Sequence, residues 1–174
     1  MLLGILNAQA AGAETGIYVA VGDDGVLTSS LDAITWTSQT STFDTTRIKA
    51  ATAGDALYVV AGESGKLASS PDGITWTSRT SGFGSSAINT VTFGDGLYVA
   101  GGGSGVLTTS PDGTSWTSRT SGFGSTQIEA VTFGNGLYVA VGRNAALSTS
   151  TNGTSWTSRT SGFGSSSING LTFA

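Results

Sequence analysis

One period organises this chain. Trp36, Trp76, Trp116 and Trp156 stand 40 residues apart, as do Tyr18, Tyr58, Tyr98 and Tyr138, and Phe43, Phe83, Phe123 and Phe163. Residues 88–127 and 128–167 align without a gap and agree at most positions. Such a period makes each unit one supersecondary structure that buries its apolar face against the next unit.

The unit reads as four short strands. In residues 88–121, INTVTFG, LYVAGG, VLTTS and SWTSRTS are runs of β-branched and aromatic residues, punctuated by Gly94-Asp95-Gly96, Gly102–Gly105 and Pro111-Asp112-Gly113. These are strand and turn signals, and no window carries a helical apolar spacing long enough to compete. Forty residues per antiparallel four-stranded meander is the size of a propeller blade. The expected fold is all-β: a four-bladed β-propeller over residues 16–174, with residues 1–15 left over as an apolar N-terminal arm.

The ends suggest how the ring closes. Residues 168–174, INGLTFA, repeat the first strand of a unit, whereas the N-terminal unit has a clear second strand, Ile17 to Val21, and a poor first one. The expectation is that 168–174 pairs antiparallel with residues near 17–22 and closes the ring, removing free sheet edges. Three alternatives stay open: an eight-bladed ring shared by two chains, an open solenoid, and a C-terminal strand that completes a neighbouring subunit.

Composition removes several functions. Cys and His are absent, which excludes a disulfide scaffold, an ordinary zinc site, a haem site and a His-based triad. Seven Lys and Arg stand against 11 Asp and Glu with no basic run, which argues against nucleic acid as a partner. Met1 to Leu6 is too short to span a bilayer.

A phrase precedes each Trp: Ser30-Leu31-Asp32-Ala33-Ile34-Thr35-Trp36, and its counterparts ending in Asp72…Trp76, Asp112…Trp116 and Asn152…Trp156. It resembles the Asp-box (BNR) repeat of sialidase-like and photosystem-assembly-factor-like propellers, Ser-x-Asp-x-Gly-x-Thr-Trp, with one residue fewer between Asp and Trp. Phrases such as TSWTSRTSGFG also resemble repeats of bacteriophage tail and virion proteins and of some secreted bacterial proteins. The Asp-box resemblance implies a structural role for the box, away from any catalytic centre. The residues agree with this: Asp or Asn can accept hydrogen bonds from its own turn, and the Trp can bury a large apolar area. A calcium site needs six to eight oxygens, and each turn offers one carboxylate. Asp32, Asp72, Asp112, Asn152 and the four Trp are therefore read as structural, with no metal and no cofactor.

Arg79, Arg119 and Arg159 are symmetry copies, read as edge charges that discourage sheet pairing rather than as a converging carboxylate clamp. The breaks in symmetry, at Asp23-Asp24, Thr45–Lys49, Glu63–Lys66 and Arg143–Ala146, are read as variation in solvent-facing loops. No constellation of catalytic groups emerges. Leu2, Leu3, Ile5 and Leu6 are read as the assembly contact of a docking arm, since exposed they would invite aggregation.

The resulting expectation is a non-enzymatic structural or adhesive component of an extracellular assembly, foremost a phage virion, in a virion or extracellular location. Its partners would be other structural subunits, surface glycans through Ser/Thr-rich faces, or further copies of itself. The alternatives are a secreted bacterial carbohydrate-binding or assembly-factor propeller and, third, a glycoside hydrolase.

Overall fold

A computed structural model describes residues 5–8, as backbone only, and residues 16–174. Four four-stranded antiparallel meanders follow one another along the chain. The first comprises β1 (Ile5–Ala8), β2 (Ile17–Val21), β3 (Leu27–Ser30) and β4 (Thr37–Gln39). The second comprises β5 (Ile48–Ala53), β6 (Tyr58–Gly62), β7 (Leu67–Ser70) and β8 (Thr77–Arg79). The third comprises β9 (Ile88–Gly94), β10 (Leu97–Gly102), β11 (Leu107–Ser110) and β12 (Thr117–Arg119). The fourth comprises β13 (Ile128–Gly134), β14 (Leu137–Gly142), β15 (Leu147–Ser150) and β16 (Thr157–Arg159). This is the four-bladed propeller fold that the period predicts. Among the described residues no helix is long and apolar enough to cross a membrane.

Each blade is held by its neighbour. Three buried clusters form the core, and each joins two successive blades: Val21, Leu27 and Phe43 with Tyr58, Val60 and Trp76; then Val59, Leu67 and Phe83 with Tyr98 and Ala100; then Val99, Leu107 and Phe123 with Tyr138 and Ala140. Because a middle strand is covered on both faces, β6 is buried at every residue and reads as a continuous apolar run, not an alternation. Tyrosine hydroxyls fasten the blades. Tyr98 donates to the Leu57 carbonyl at 2.7 Å, and Tyr138 donates to the Gly94 carbonyl. Burial raises both phenols to about 12.

The expected closure is corrected. The inner partner of β2 is β1, in the register Ile5 with Ala20 and Ala8 with Ile17. Residues 168–174 form no strand. They lie instead on the far side of the fourth blade, where a fifth blade would begin. Ile168 donates its amide to the Gly142 carbonyl at 3.0 Å, as Ile48 does to Gly22. The Phe173 ring covers Gly134 as the Phe133 ring covers Gly94, each so closely that a Cβ would stand 2.1–2.2 Å from the ring. Among the described residues no buried cluster joins the fourth blade to the first, so the four blades form an open arc.

The boundary at residue 15 moves as well. Ile5 and Leu6 belong to the first blade rather than to a free arm, because the inner edge of β2 needs a hydrogen-bonding partner and β1 supplies it. Leu2 and Leu3 lie outside the described residues.

Candidate functional site

The Ser-x-Asp turns are closed, self-satisfied units. In the third blade one Asp112 carboxylate oxygen accepts from the backbone amides of Thr114 and Ser115 at 2.8 and 2.9 Å and from the Ser110 hydroxyl at 2.9 Å. Asp32 and Asp72 repeat the pattern, and the Asn152 side-chain oxygen reproduces it with Ser150, Thr154 and Ser155. Amide donors stabilise the ionised form. The Ser115 amide foremost holds Asp112 well below the usual carboxylate range, and the Thr35 amide foremost lowers Asp32. At Asp72 partial burial pushes upward, but the Thr75 and Ile74 amides outweigh it and the net shift is down.

Of the four Trp residues that follow these turns, Trp76, Trp116 and Trp156 pack on the buried clusters, and Trp36 is half-buried. Trp76 is 8% exposed and sits in the cluster between the first two blades. Trp116 and Trp156 tilt against Tyr98 and Tyr138 of their own blades, with ring centroids 6.3 and 6.4 Å apart. Trp36 and Trp156 donate their indole N–H to the carbonyls of Ala33 and Gly153. Arg79, Arg119 and Arg159 lie on the outermost strands and donate across to Ser69, Thr109 and Thr149. The recurring Asp, Asn and Arg side chains thus bond within their own blades, the recurring Tyr and Phe pack between neighbouring blades, and no set of them converges at one point.

What it does bring together is the unrepeated charge. In a meander the second-to-third-strand turns and the blade-to-blade connections fall at one end, and the hairpin and box turns at the other. Asp24, Asp44, Arg47, Lys49, Lys66, Glu129 and Arg143 have no like-charged counterpart at the same place in another unit, Asp23 and Glu63 have only each other, and all stand at or beside the first of these ends. At the opposite end Asp32, Asp72 and Asp112 share one place in the repeat, and Asp55 and Asp95 share another.

The unrepeated residues interlock, some across blades and one pair within the fourth. Arg47 pairs with Asp23 at 2.8 Å, Lys66 with Asp44 at 3.0 Å and Arg143 with Glu129 at 3.0 Å. Lys49 donates to the Asn89 side-chain oxygen at 2.5 Å, and the Asn89 amide donates to the Ile128 carbonyl at 2.8 Å, so one chain of contacts crosses three blades. Between the third and fourth blades this end opens into a cleft of about 380 Å³ lined by Ser104, Ser125, Thr126, Gln127, Arg143 and Asn144. The Arg143 side chain is 58% exposed there, its Nε engaged by Glu129, which also accepts from Gln127 at 2.9 Å.

A second groove, of about 410 Å³, runs beside β3 and β4 of the first blade, from Leu31 and Asp32 to Gln39, with Ile74 of the second blade at its edge. Reading the sequence unit by unit dismisses the charged breaks as scattered. Their common end becomes visible only when each break is placed on the meander, a step the strand assignment already permitted.

Comparison with known proteins agrees with this architecture. Residues 81–171, just over half of the chain, match the family described as the DUF6242 beta propeller domain. The chain belongs to that family. No curated protein matches it. Among solved structures the DUF6242-type propeller superposes on YCF48 bound to the D1 peptide with a TM-score of 0.64 at 16% identity, covering 91% of this chain and 56% of that one. YCF48 from Cyanidioschyzon merolae gives 0.65 at 18% identity, with 91% and 56% covered. The WD40 beta propeller domain of Doa1 gives 0.61 at 11% identity, with 95% and 61% covered. The chain therefore spans a little over half the length of the propellers it resembles.

Proposed function

We propose that this chain is a non-enzymatic binding scaffold, a structural component of an extracellular assembly such as a virion, that holds a polypeptide partner on the end carrying its unrepeated charges. The observation behind this reading is the segregation of those charges to one end. A scaffold built of copies offers the same chemistry everywhere, so specificity for one partner has to come from the residues that differ. Catalysis asks for dissimilar groups converging on one reacting centre. The recurring Asp residues are instead consumed by their own turns. A polypeptide partner is favoured over a glycan because the charged end offers exposed cations and anions side by side, which suits the mixed charge of a peptide. The likeness to YCF48, solved with a bound peptide, supports the same class of partner.

The test is selection of binders from a displayed random-peptide library, followed by mapping of the protected amides. Protection should gather at residues 23–25, 44–49, 63–66, 125–129 and 143–146, and Arg143→Ser should weaken binding. Protection centred on the box turns would sink the proposed surface, and turnover of any glycoside in a chromogenic panel would sink the non-enzymatic reading.

A further inference from the structure

The two flanks of the arc are the two halves of one interface. Inside the chain, Leu107 and Phe123 of the third blade pack on Tyr138 and Ala140 of the fourth, with Trp156 beside them. The outer flank of the fourth blade repeats the first half of that set, as Leu147 and Phe163. There Leu147 is half-buried and Phe163 is 54% exposed, whereas Phe123 is 5% exposed. The first blade repeats the second half in kind, with Tyr18, Ala20 and Trp36 where the third has Tyr98, Ala100 and Trp116; Tyr18 and Trp36 are half-buried there and Ala20 is buried.

The inner strands add a second, independent mark. Residues 168–174 carry Ile, Asn, Thr and Phe at the positions those residues hold in β9, and they already occupy the inner-strand position beyond the fourth blade. They pair with no strand there. The first blade meanwhile has an ill-matched inner strand. In the third blade Val91 faces Ala100, so the period would set residue 11 opposite Ala20, but Ile5 stands there, six residues early. β1 has four residues, against seven in β9 and β13.

We propose that a second copy of this chain covers the fourth blade's flank with its own first blade, and that residues 168–174 take the inner-strand place in that blade, displacing β1. The register follows from β9 and β10: Leu171 opposite Ala20 and Phe173 opposite Tyr18 of the other copy. A head-to-tail contact of this kind either propagates or closes. Two arcs of four blades make an eight-bladed ring, within the usual range for propellers.

The chain contains no cysteine, so an introduced pair reports without background. Ala20→Cys with Leu171→Cys should yield disulfide-linked dimers on mild oxidation. The unsubstituted chain should weigh twice its monomer mass by light scattering, and Phe163→Asp should return it to monomer with an unchanged far-ultraviolet circular dichroism spectrum. A cross-link formed within single chains would mean that the ring closes on itself. A chain that stays monomeric at every concentration, or a dimer untouched by Phe163→Asp, would equally overturn the proposal.

Discussion

The third and fourth blades are nearly the same sequence in different surroundings. Residues 114–125 and 154–165 are identical, yet Phe123 is 5% exposed and Phe163 is 54% exposed. The difference lies in what comes next. Phe123 is covered by the fourth blade, close enough that a Cβ on Gly142 would stand 3.1 Å from its ring, and Phe163 has only residues 165–174 beyond it. Burial in this molecule is thus a property of position in the array, as expected where each repeat is stabilised by its neighbours.

The largest contrast should come from the two phenylalanines themselves. Phe123→Ala removes a buried ring and should cost about 3–5 kcal/mol of unfolding free energy. Phe163→Ala, at dilutions where single chains prevail, should cost under about 1 kcal/mol, the usual range for an exposed site. Urea titration of both variants measures the gap, and equal losses would break the comparison.

Glycine gives a second contrast of the same kind. Gly94→Ala would drive a Cβ to 2.2 Å from the Phe133 ring, which is locked between blades, and should cost about 1–3 kcal/mol. Gly134→Ala meets Phe173 at 2.1 Å, but that ring is exposed on a segment without strand pairing and can step aside. Thermal melts should separate the two, with Gly134→Ala close to the parent.

The box turns sharpen the comparison through pH. Asp32, Asp72 and Asp112 have folded-state pKa values below their ordinary ones, so their contribution is complete above about pH 4 and is lost as pH falls through the depressed values. The box turn of the fourth blade holds the same bonds with the neutral Asn152 in place of a carboxylate. Replacing the three Asp by Asn should flatten the loss of melting temperature in acid, and an unchanged slope would show that the carboxylates do not set it. At neutral pH, Asp112→Ala should cost roughly 1 kcal/mol, the size of a lost local hydrogen bond.

The smallest expected effect is a gain. Ala145 sits at φ 56°, where the other three units place glycine at φ 64–67°. A left-handed alanine costs about 1 kcal/mol, so Ala145→Gly should stabilise the fourth blade by up to that amount. A melting temperature that falls instead would mean that the alanine side chain contributes packing that outweighs its strain.

The fold was largely legible because 40-residue spacing, Trp position and Gly-punctuated strands all follow from the demands of one repeated interface. The Ser-x-Asp turns were legible for a local reason: the hydrogen bonds of Asp112 reach no further than three residues along the chain. Two things were not. The first strand escaped because β1 stands six residues off the period, with eight residues between Ala8 and Ile17 where two separate Gly94 from Leu97, so Ile5–Ala8 falls within the stretch read as an arm. Closure by 168–174 was inferred from a sequence match that holds, but a strand-like sequence states which position in a blade it fits, not which blade it joins. The candidate charged end needed the meander's up-and-down order, since Asp23, Arg47 and Arg143 are far apart in sequence and share an end only through it.

The central claim, that position in the array governs burial and order, is tested most directly by amide hydrogen exchange on single chains at high dilution. The slowest exchange should fall in β6 and β10, which have a blade on either side. The Ile168 amide should be slowed by its bond to Gly142, and residues 169–174 should exchange almost freely. Protection of 168–174 equal to that of 88–94 in the same dilute chains, together with uniform protection across all four blades, would contradict the open arc.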